Sequence, residues 1–255
     1  MYKTISFVVS EGVATLTLRR PGRLNALIPA MTDEANDALD RLDSERARVL
    51  LVTGEGRGFC SGADLQAGLA ADAGEVLEQH YNPFCERLAA LQVPIVSAVN
   101  GVAAGAGCSL ALAGDFVLAA RSAYFLLAFA NIGLVPDVGA TWLVTRLVGR
   151  ARATEMMILG ERVPAEAAEA WGLIYRAVDD EALMSEARTL ALRLATGPTR
   201  AYSLIRNAIR ASYDGTFSDT LALERSNQRL AGDSADFKEG VDAFLNKRKA
   251  RFTGA

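Results

Sequence analysis

Val49-Leu50-Leu51-Val52-Thr53-Gly54-Glu55-Gly56-Arg57-Gly58-Phe59-Cys60-Ser61-Gly62-Ala63-Asp64-Leu65 decides the fold class. Its first five residues form a short apolar run ended by glycine, the pattern of a buried strand. The glycines beyond let the backbone approach a ligand closely and turn its N–H groups outward. The stretch is not a P-loop, because the Gly-Lys-Ser/Thr ending is missing. The dinucleotide spacing G-x-G-x-x-G also fails from both Gly54 and Gly56. Taken alone, the segment is equally well a plain surface turn.

The same arrangement occurs again downstream. Pro94 to Val99 reads as a second buried strand, and Asn100-Gly101-Val102-Ala103-Ala104-Gly105-Ala106-Gly107-Cys108-Ser109-Leu110-Ala111-Leu112 as a glycine-rich turn opening a small-residue helix. A helix N-terminus offers unpaired N–H groups and partial positive charge, which suits an oxyanion. Close helix–strand packing asks for the same small residues. Two such amide clusters could share one carbonyl oxygen as it becomes an enolate.

Working outward, Thr4 to Val9 and Val13 to Leu18 read as paired strands about Ser10-Glu11-Gly12, and Phe116 to Ala120 as a further buried strand. Met31, Ala35, Ala38, Leu39 and Leu42 give Ala30 to Leu42 helical spacing. Glu75 to Leu91 and Gly105 to Ala113 are also expected to be helical, while Ala67 to Gly74 reads as a loop. Strand alternating with helix is the signature of an α/β core.

From about Thr141 the pattern is mostly helix: Thr141 to Val148, Arg152 to Leu159, Ala165 to Trp171 and Asp180 to Ala195. After the break at Gly197-Pro198 come three amphipathic stretches, Thr199 to Ala211, Asp219 to Ala231 and Ser234 to Lys249. Most of their apolar stripe (Leu204, Ile205, Ile209, Leu221, Leu223, Leu230, Phe237, Val241, Phe244, Leu245) is expected in the internal core, with packing on neighbouring subunits as the alternative. The expected division is residues 1–196 as core and 197–255 as a helical region.

Composition narrows the function classes. The chain has 255 residues, 51% hydrophobic and 22% charged, enough to bury a sizeable core. A net charge of −3 leaves no basic footprint for nucleic acid. No apolar run approaches the ~20 residues of a membrane span. Met1-Tyr2-Lys3-Thr4 opens onto a strand pattern, unlike a signal peptide. Cys60, Cys85 and Cys108 are odd in number and scattered, as reduced thiols of a cytoplasmic protein would be. They have no metal-ligand spacing, and the single histidine, His80, excludes a multi-histidine metal site. A cytoplasmic location and no metal are the expectations.

Asn131-Ile132-Gly133-Leu134-Val135-Pro136-Asp137-Val138-Gly139-Ala140-Thr141-Trp142 sets one carboxylate, Asp137, among apolar residues, proline and glycine. Burial disfavours the charged form, so Asp137 should have a raised pKa, as a proton-shuttling base near neutral pH requires. The competing expectation is that Asp137 caps a helix opening at Val138-Gly139-Ala140.

Four ordered motifs now carry a resemblance: Arg20-Pro21-Gly22-Arg23-Leu24-Asn25-Ala26-Leu27, then Gly58 to Leu65, then Asn100-Gly101 with Gly105-Ala106-Gly107, then Gly133-Leu134-Val135-Pro136-Asp137. The chain resembles the crotonase family, the enoyl-CoA hydratase/isomerase superfamily, over essentially its whole length. The resemblance implies an α/β spiral of ββα turns over 1–196 and a helical trimerisation region over 197–255. It implies an acyl-CoA thioester as ligand, self-association as a trimer or a dimer of trimers, and no cofactor beyond the coenzyme A of the substrate. The implied oxyanion amides are those of Ala63 and Ala106. Arg23, Leu24, Ala26, Asp64 and Leu65 fall where the family holds the coenzyme A.

Two departures sharpen the implied reaction. Hydratases of the family deliver water with two glutamates, and those positions are Ser109 and Phe129 here. Neither side chain handles a proton as a carboxyl group does, so efficient hydration is not expected. Asp137 matches the acid of the subgroup that moves double bonds. Tyr81-Asn82-Pro83-Phe84, Asn100 to Gly107, and Arg225 to Phe244 are most similar to the phenylacetate-pathway isomerases that convert ring-1,2-epoxyphenylacetyl-CoA to oxepin-CoA. Similarity extends to Δ3,Δ2-enoyl-CoA isomerases. The acyl pocket is expected to draw on Tyr81, Asn82, Phe84, Phe129 and Leu134, with Trp142 in the core.

Four rivals follow from the same residues. A hydrolase would use Gly107-Cys108-Ser109-Leu110-Ala111 as a loose nucleophile elbow with Asp137 and His80, although the second glycine of that motif is Ala111. An aryl-CoA dehalogenase would use Asp137 as nucleophile with a histidine base. A hydratase-like relative would retain weak hydration. A scaffold would bind acyl-CoA without chemistry.

Overall fold

The structure is a computed structural model and describes residues 2–67 and 72–255. The chain opens with an antiparallel hairpin, β1 (Ile5–Ser10) and β2 (Val13–Leu18), in the register Ile5 to Leu18. Helix α1 (Pro29–Ser44) follows, with Pro29 at its first position, where the missing N–H costs nothing. Met31, Ala35, Ala38, Leu39 and Leu42 are buried, as their spacing requires.

Three successive repeats then build the core, each beginning with a long buried strand and a short second one. The first has β3 (Val49–Gly54) and β4 (Gly58–Cys60), followed by α2 (Ala73–Val76) and α3 (Asn82–Ala90). The second has β5 (Ile95–Val99), β6 (Val102–Ala104) and α4 (Ala106–Leu112). The third has β7 (Phe116–Ala120), β8 (Tyr124–Leu126) and α5 (Ala140–Thr154). Beyond them lie β9 (Val163–Pro164), α6 (Ala165–Ala170), β10 (Arg176–Val178) and α7 (Leu183–Ala195).

The long strands form a six-stranded sheet in the order β1-β2-β3-β5-β7-β10, parallel from β2 onward. The short strands form a second sheet, β4-β6-β8-β9, in which β4, β6 and β8 are parallel neighbours. Every residue of β3 and β5 is buried, which suits a parallel sheet covered on both faces. The short sheet matters most for function. Because each repeat feeds one strand into it, the segments leaving β4, β6 and β8 emerge side by side.

Three helices complete the chain: α8 (Thr199–Ser212), α9 (Phe217–Gly232) and α10 (Ala235–Leu245). The tail returns to the core through Arg48, which donates to Thr199 Oγ1 (2.9 Å), the Phe252 carbonyl (3.1 Å) and the Gly197 carbonyl. The buried Asp236 carboxylate accepts the Thr253 and Gly254 amides at 2.6 and 2.8 Å.

Several expectations change. The helix expected over Glu75 to Leu91 is α2, a π-helical turn at Leu77–Tyr81, and α3. Pro83 has no N–H to continue a regular ladder there. The loop expected over Ala67 to Gly74 lies partly outside the described residues. The last helix stops at Leu245 instead of Lys249, because Lys247 turns left-handed (φ 51°). The apolar stripe of the last three helices is largely not internal core. Ile205, Ile209, Leu221, Leu230, Phe237, Val241, Phe244 and Leu245 are exposed, Phe244 at 83%. Among the described residues no helix is long and apolar enough to cross a membrane.

Candidate active site

The segments leaving the three short strands meet at one place. Gly62 ends the β4 turn with φ +91°, and a Cβ on it would stand 2.9 Å from the Ala104 carbonyl and 3.5 Å from the Ala106 nitrogen. Only glycine allows both that backbone angle and that approach. Behind it, a Cβ on Gly107 would collide with the Cys60 carbonyl, so the β4 turn and α4 touch backbone to backbone. The Ala63 and Ala106 amides are thereby brought to neighbouring positions. Among the described residues, neither donates a hydrogen bond within the chain. Ala106 opens α4, so its N–H is one of the orphan donors of a helix start.

A third loop braces this pair. Leu27 donates to the Gly62 carbonyl (2.7 Å) and accepts from Asp64 (2.9 Å), while Ser61 donates to the Leu24 carbonyl (3.0 Å). Leu24 and Asn25 both take left-handed backbone, φ 48° and 55°. Asn25 is completely buried; it accepts from the Arg20 amide (2.8 Å) and donates to the carbonyls of Gly58 (2.8 Å) and Glu55 (3.0 Å). Arg20 grips the Ala26 carbonyl at 2.5 Å and the Asp64 carboxylate at 2.8 Å. That pairing holds the Asp64 carboxyl below the usual carboxylate range.

Arg23, Leu24, Ala26, Asp64 and Leu65 therefore share one patch beside the β4 turn. Arg23 pairs with Gln66, and Leu65 is exposed. The Asp64 side chain is engaged with Arg20 rather than presented to a ligand. Arg20 and Asn25 are the structural members of this patch that single-residue reasoning missed. The signal available was Asn at a turn, since Asn tolerates left-handed backbone.

Asp137 lies on the segment after β8. It is half-buried, and its Oδ1 is buried without a hydrogen-bond partner. Burial pushes its carboxyl up to about 6, opposed only by a hydrogen bond from its own backbone. The cap expectation fails: α5 begins at Ala140, its N-cap is Gly139 with φ 79°, and no side chain caps it. Val138 between them has φ 54°, a costly conformation for a β-branched residue. The Asp137 carbonyl, not its carboxylate, is gripped, by the Ala140 amide and by Ser109 Oγ, both at 3.0 Å.

Two further groups feel Asp137. The Tyr81 hydroxyl and the Cys85 thiol are both pushed up to about 12, first by burial and then by the Asp137 charge. Tyr81 donates to the Leu27 carbonyl at 3.2 Å, on the loop that braces Ala63. Phe129 is buried, its ring 3.7 Å from where a Gly105 Cβ would sit. A cleft of about 860 Å³ runs between α5 and α8, lined near Asp137 by Val138, Gly139, Asn82, Cys85 and Trp142.

Of the residues expected to border the acyl group, Asn82 lines this cleft, Tyr81, Phe84 and Phe129 are buried beside the core, and Leu134 is exposed at 44%. Trp142 is half-buried in the cleft wall, not in the core, with Arg146 over its ring at 4.2 Å and Tyr213 edge-on at 5.4 Å. Cys85 also lines this cleft, and gave no signal in sequence for that position.

The hydrolase arrangement is not assembled. Ser109 Oγ donates to the Asp137 carbonyl, and His80 Nδ1 pairs with Asp33 at 3.2 Å on α1. The same pairing engages the single histidine that a dehalogenase-type mechanism would need as its base. Among the described residues no cluster of His, Cys, Asp and Glu could hold a metal ion.

Comparison with known proteins identifies the family. Residues 9–255 match a family described as enoyl-CoA hydratase/isomerase. An Escherichia coli protein, 1,2-epoxyphenylacetyl-CoA isomerase, is 50% identical over 253 residues, spanning 96% of this chain and 97% of its own. A Rhodobacter capsulatus protein bearing the name "Probable enoyl-CoA hydratase" is 46% identical over 99% of both chains. A crystal structure of enoyl-CoA hydratase from Bacillus anthracis superposes with a TM-score of 0.94 at 30% identity, covering 99% of this chain and 100% of that one.

Proposed function

The chain belongs to the enoyl-CoA hydratase/isomerase family, and from that premise we propose that it is an isomerase of acyl-CoA thioesters with Asp137 as its acid–base group. The observation that carries this reading is the Asp137 carboxylate, half-buried, raised to about 6 and with one oxygen lacking any partner, after the third of three adjacent short strands. A carboxyl near that value exchanges a proton readily at neutral pH in both directions.

In this reading the thioester carbonyl accepts hydrogen bonds from the Ala63 and Ala106 amides. Asp137 removes a proton from the carbon next to the carbonyl of a 3-enoyl thioester. The electron pair spreads into a dienolate whose oxygen charge the two amides stabilise, a contribution of roughly 2.7–4 kcal/mol per donor. Asp137 then returns the proton two carbons along, giving the conjugated 2-enoyl thioester with no net change in atoms. For ring-1,2-epoxyphenylacetyl-CoA, the same base and oxyanion site would assist ring opening and expansion to the oxepin. The 50% identity to an epoxyphenylacetyl-CoA isomerase supports that substrate.

Ser109 and Phe129 stand where the family's hydratases are expected to carry glutamates, which supports isomerisation over hydration. Arg23, Leu24, Ala26, Asp64 and Leu65 would hold coenzyme A, and Tyr81, Asn82, Phe84, Phe129 and Leu134 would border the acyl group. No cofactor beyond the coenzyme A of the substrate enters this scheme. The exposed apolar faces of α8, α9 and α10 support a trimer or a dimer of trimers, and a cytoplasmic location suits the three free thiols.

The deciding experiment is a panel of 3-enoyl-, 2-enoyl- and epoxyphenylacetyl-CoA turned over by the parent and by Asp137→Asn. The variant should bind the thioesters and lose isomerisation. Retention of most turnover would remove Asp137 as the base, and a parent inert towards every thioester would favour a scaffold.

A further inference from the structure

The residue in the expected hydratase-glutamate position is not idle. Ser109 is 1% exposed, and a buried hydroxyl must find a partner. Its partner is the backbone carbonyl of Asp137, at 3.0 Å, on a segment 28 residues away. Ser109 lies on α4, the helix that Ala106 opens. Three residues is about one helical turn, so the oxyanion amide and the grip on the base share one short rigid element.

The segment so gripped is strained. Val138 holds φ 54° and Gly139 φ 79°, and a β-branched residue stays in such a conformation only where its surroundings enforce it. Two contacts do so on the main chain, the Ser109 hydroxyl and the Ala140 amide, while the buried Val138 side chain fixes the third side. The carboxylate itself keeps an oxygen free. Every restraint named here falls on the backbone, so the acid is aimed without being neutralised.

We infer that Ser109 is a positioning residue, whose hydroxyl sets the distance between the Asp137 base and the Ala106 oxyanion amide. The inference rests on Asp137 being the base. Its effect is expected mainly on kcat, because a misplaced base lowers the rate of proton transfer while leaving coenzyme A contacts intact. A displacement on the order of 1 Å is enough for losses of about a hundredfold.

The test uses the full chain with a 3-enoyl-CoA substrate and compares the parent, Ser109→Ala, Ser109→Thr and Asp137→Asn. Ser109→Ala should lose roughly ten- to a hundredfold in kcat with KM within about twofold. The acid limb of its pH profile should move to lower pH as the carboxyl gains solvent. The titratable groups facing Asp137 are Tyr81 and Cys85, both pushed to about 12 and therefore silent in that range. Ser109→Thr keeps the hydroxyl and should recover most of kcat. If Ser109→Ala does not fold, Ser109→Cys keeps a side-chain donor, though a weaker one, and should show the same split at smaller size.

Unchanged kcat in Ser109→Ala overturns the inference. So does a loss of kcat that leaves the acid limb in place and that threonine does not repair, since that pattern is general damage. An active Asp137→Asn fails differently: it removes the base itself and the positioning role with it.

Discussion

Replacing Asp137 by asparagine should make the protein more stable while abolishing isomerisation, and the gain should depend on pH. Burial lifts the Asp137 carboxyl from 3.8 to about 6 on folding. Between those values the folded chain binds more protons than the unfolded one. Stability therefore falls as pH rises through this window and levels off above it. At about 1.4 kcal/mol per pKa unit, the ionised carboxylate costs the fold about 3 kcal/mol at pH 8. That is a ceiling, because Asp137 is only half-buried and water screens part of the cost. Asparagine has nearly the same shape and no charge to desolvate. Urea unfolding of parent and variant at fixed protein concentration, followed by circular dichroism at pH 4 and pH 8, measures the difference. The variant should lead by roughly 2–3 kcal/mol at pH 8 and by little at pH 4. Equal stability at pH 8, or an advantage of the same size at both pH values, would refute the claim that Asp137 ionises at a cost inside the fold.

Activity should show the same group from the other side. Asp137 must be ionised to take a proton, so kcat/KM of the parent should fall as pH drops through about 6; a limb near pH 4 would mean an ordinary, hydrated carboxylate. Ser109→Glu combined with Phe129→Glu should introduce hydration of a 2-enoyl-CoA, read as loss of its conjugated absorbance, and strong hydration by the parent would contradict the reaction assignment. Asn25→Ala should destabilise by roughly 2–4 kcal/mol in urea unfolding, because it strips a partner from the buried Gly58 carbonyl and from the part-buried Glu55 carbonyl and Arg20 amide; a loss under 0.5 kcal/mol (about half of one ordinary hydrogen bond) would show that the loop stands without it.

Much of this arrangement is legible in the sequence because it is built from strong local signals. Val49 to Gly54 and Ile95 to Val99 are continuous apolar runs, and continuous runs mean strands buried on both faces. The glycines at 62 and 107 announce close backbone approaches, and those approaches are present, while Gly105 holds a left-handed φ of +52°. What stayed hidden was non-local or too short to have a period. The strands β4, β6 and β8 are three residues each, too brief for alternation to register, yet they form the sheet that gathers the site. The Asp137 turn misled for a similar reason. Asp before a glycine and a helix looks like a cap, whereas the left-handed Val138 that removes it from the cap position has no sequence signature. The stripe on α8 to α10 has the right period for burial, but period alone does not say whether the same chain covers it.

If the proposed function holds, the contrast between hydration and isomerisation in this fold reduces to where carboxyl groups stand around the Ala63 and Ala106 amides. Hydration has to hold and split a water molecule beside the thioester, and water needs polar partners to stay in place. Here Phe129 turns a ring toward Gly105, and Ser109 spends its hydroxyl on the Asp137 backbone. Both changes remove polar partners from the neighbourhood of the amides. In the proposed reading a single base with one buried, unpartnered oxygen remains, and that burial has two effects on it. Its raised pKa brings proton removal and proton return closer in energy. It also slows loss of the abstracted proton to bulk water, so the proton stays available for the second carbon. The features that deny the site a nucleophilic water therefore favour an internal transfer, and the strain at Val138 is the local cost of presenting an acid in that setting.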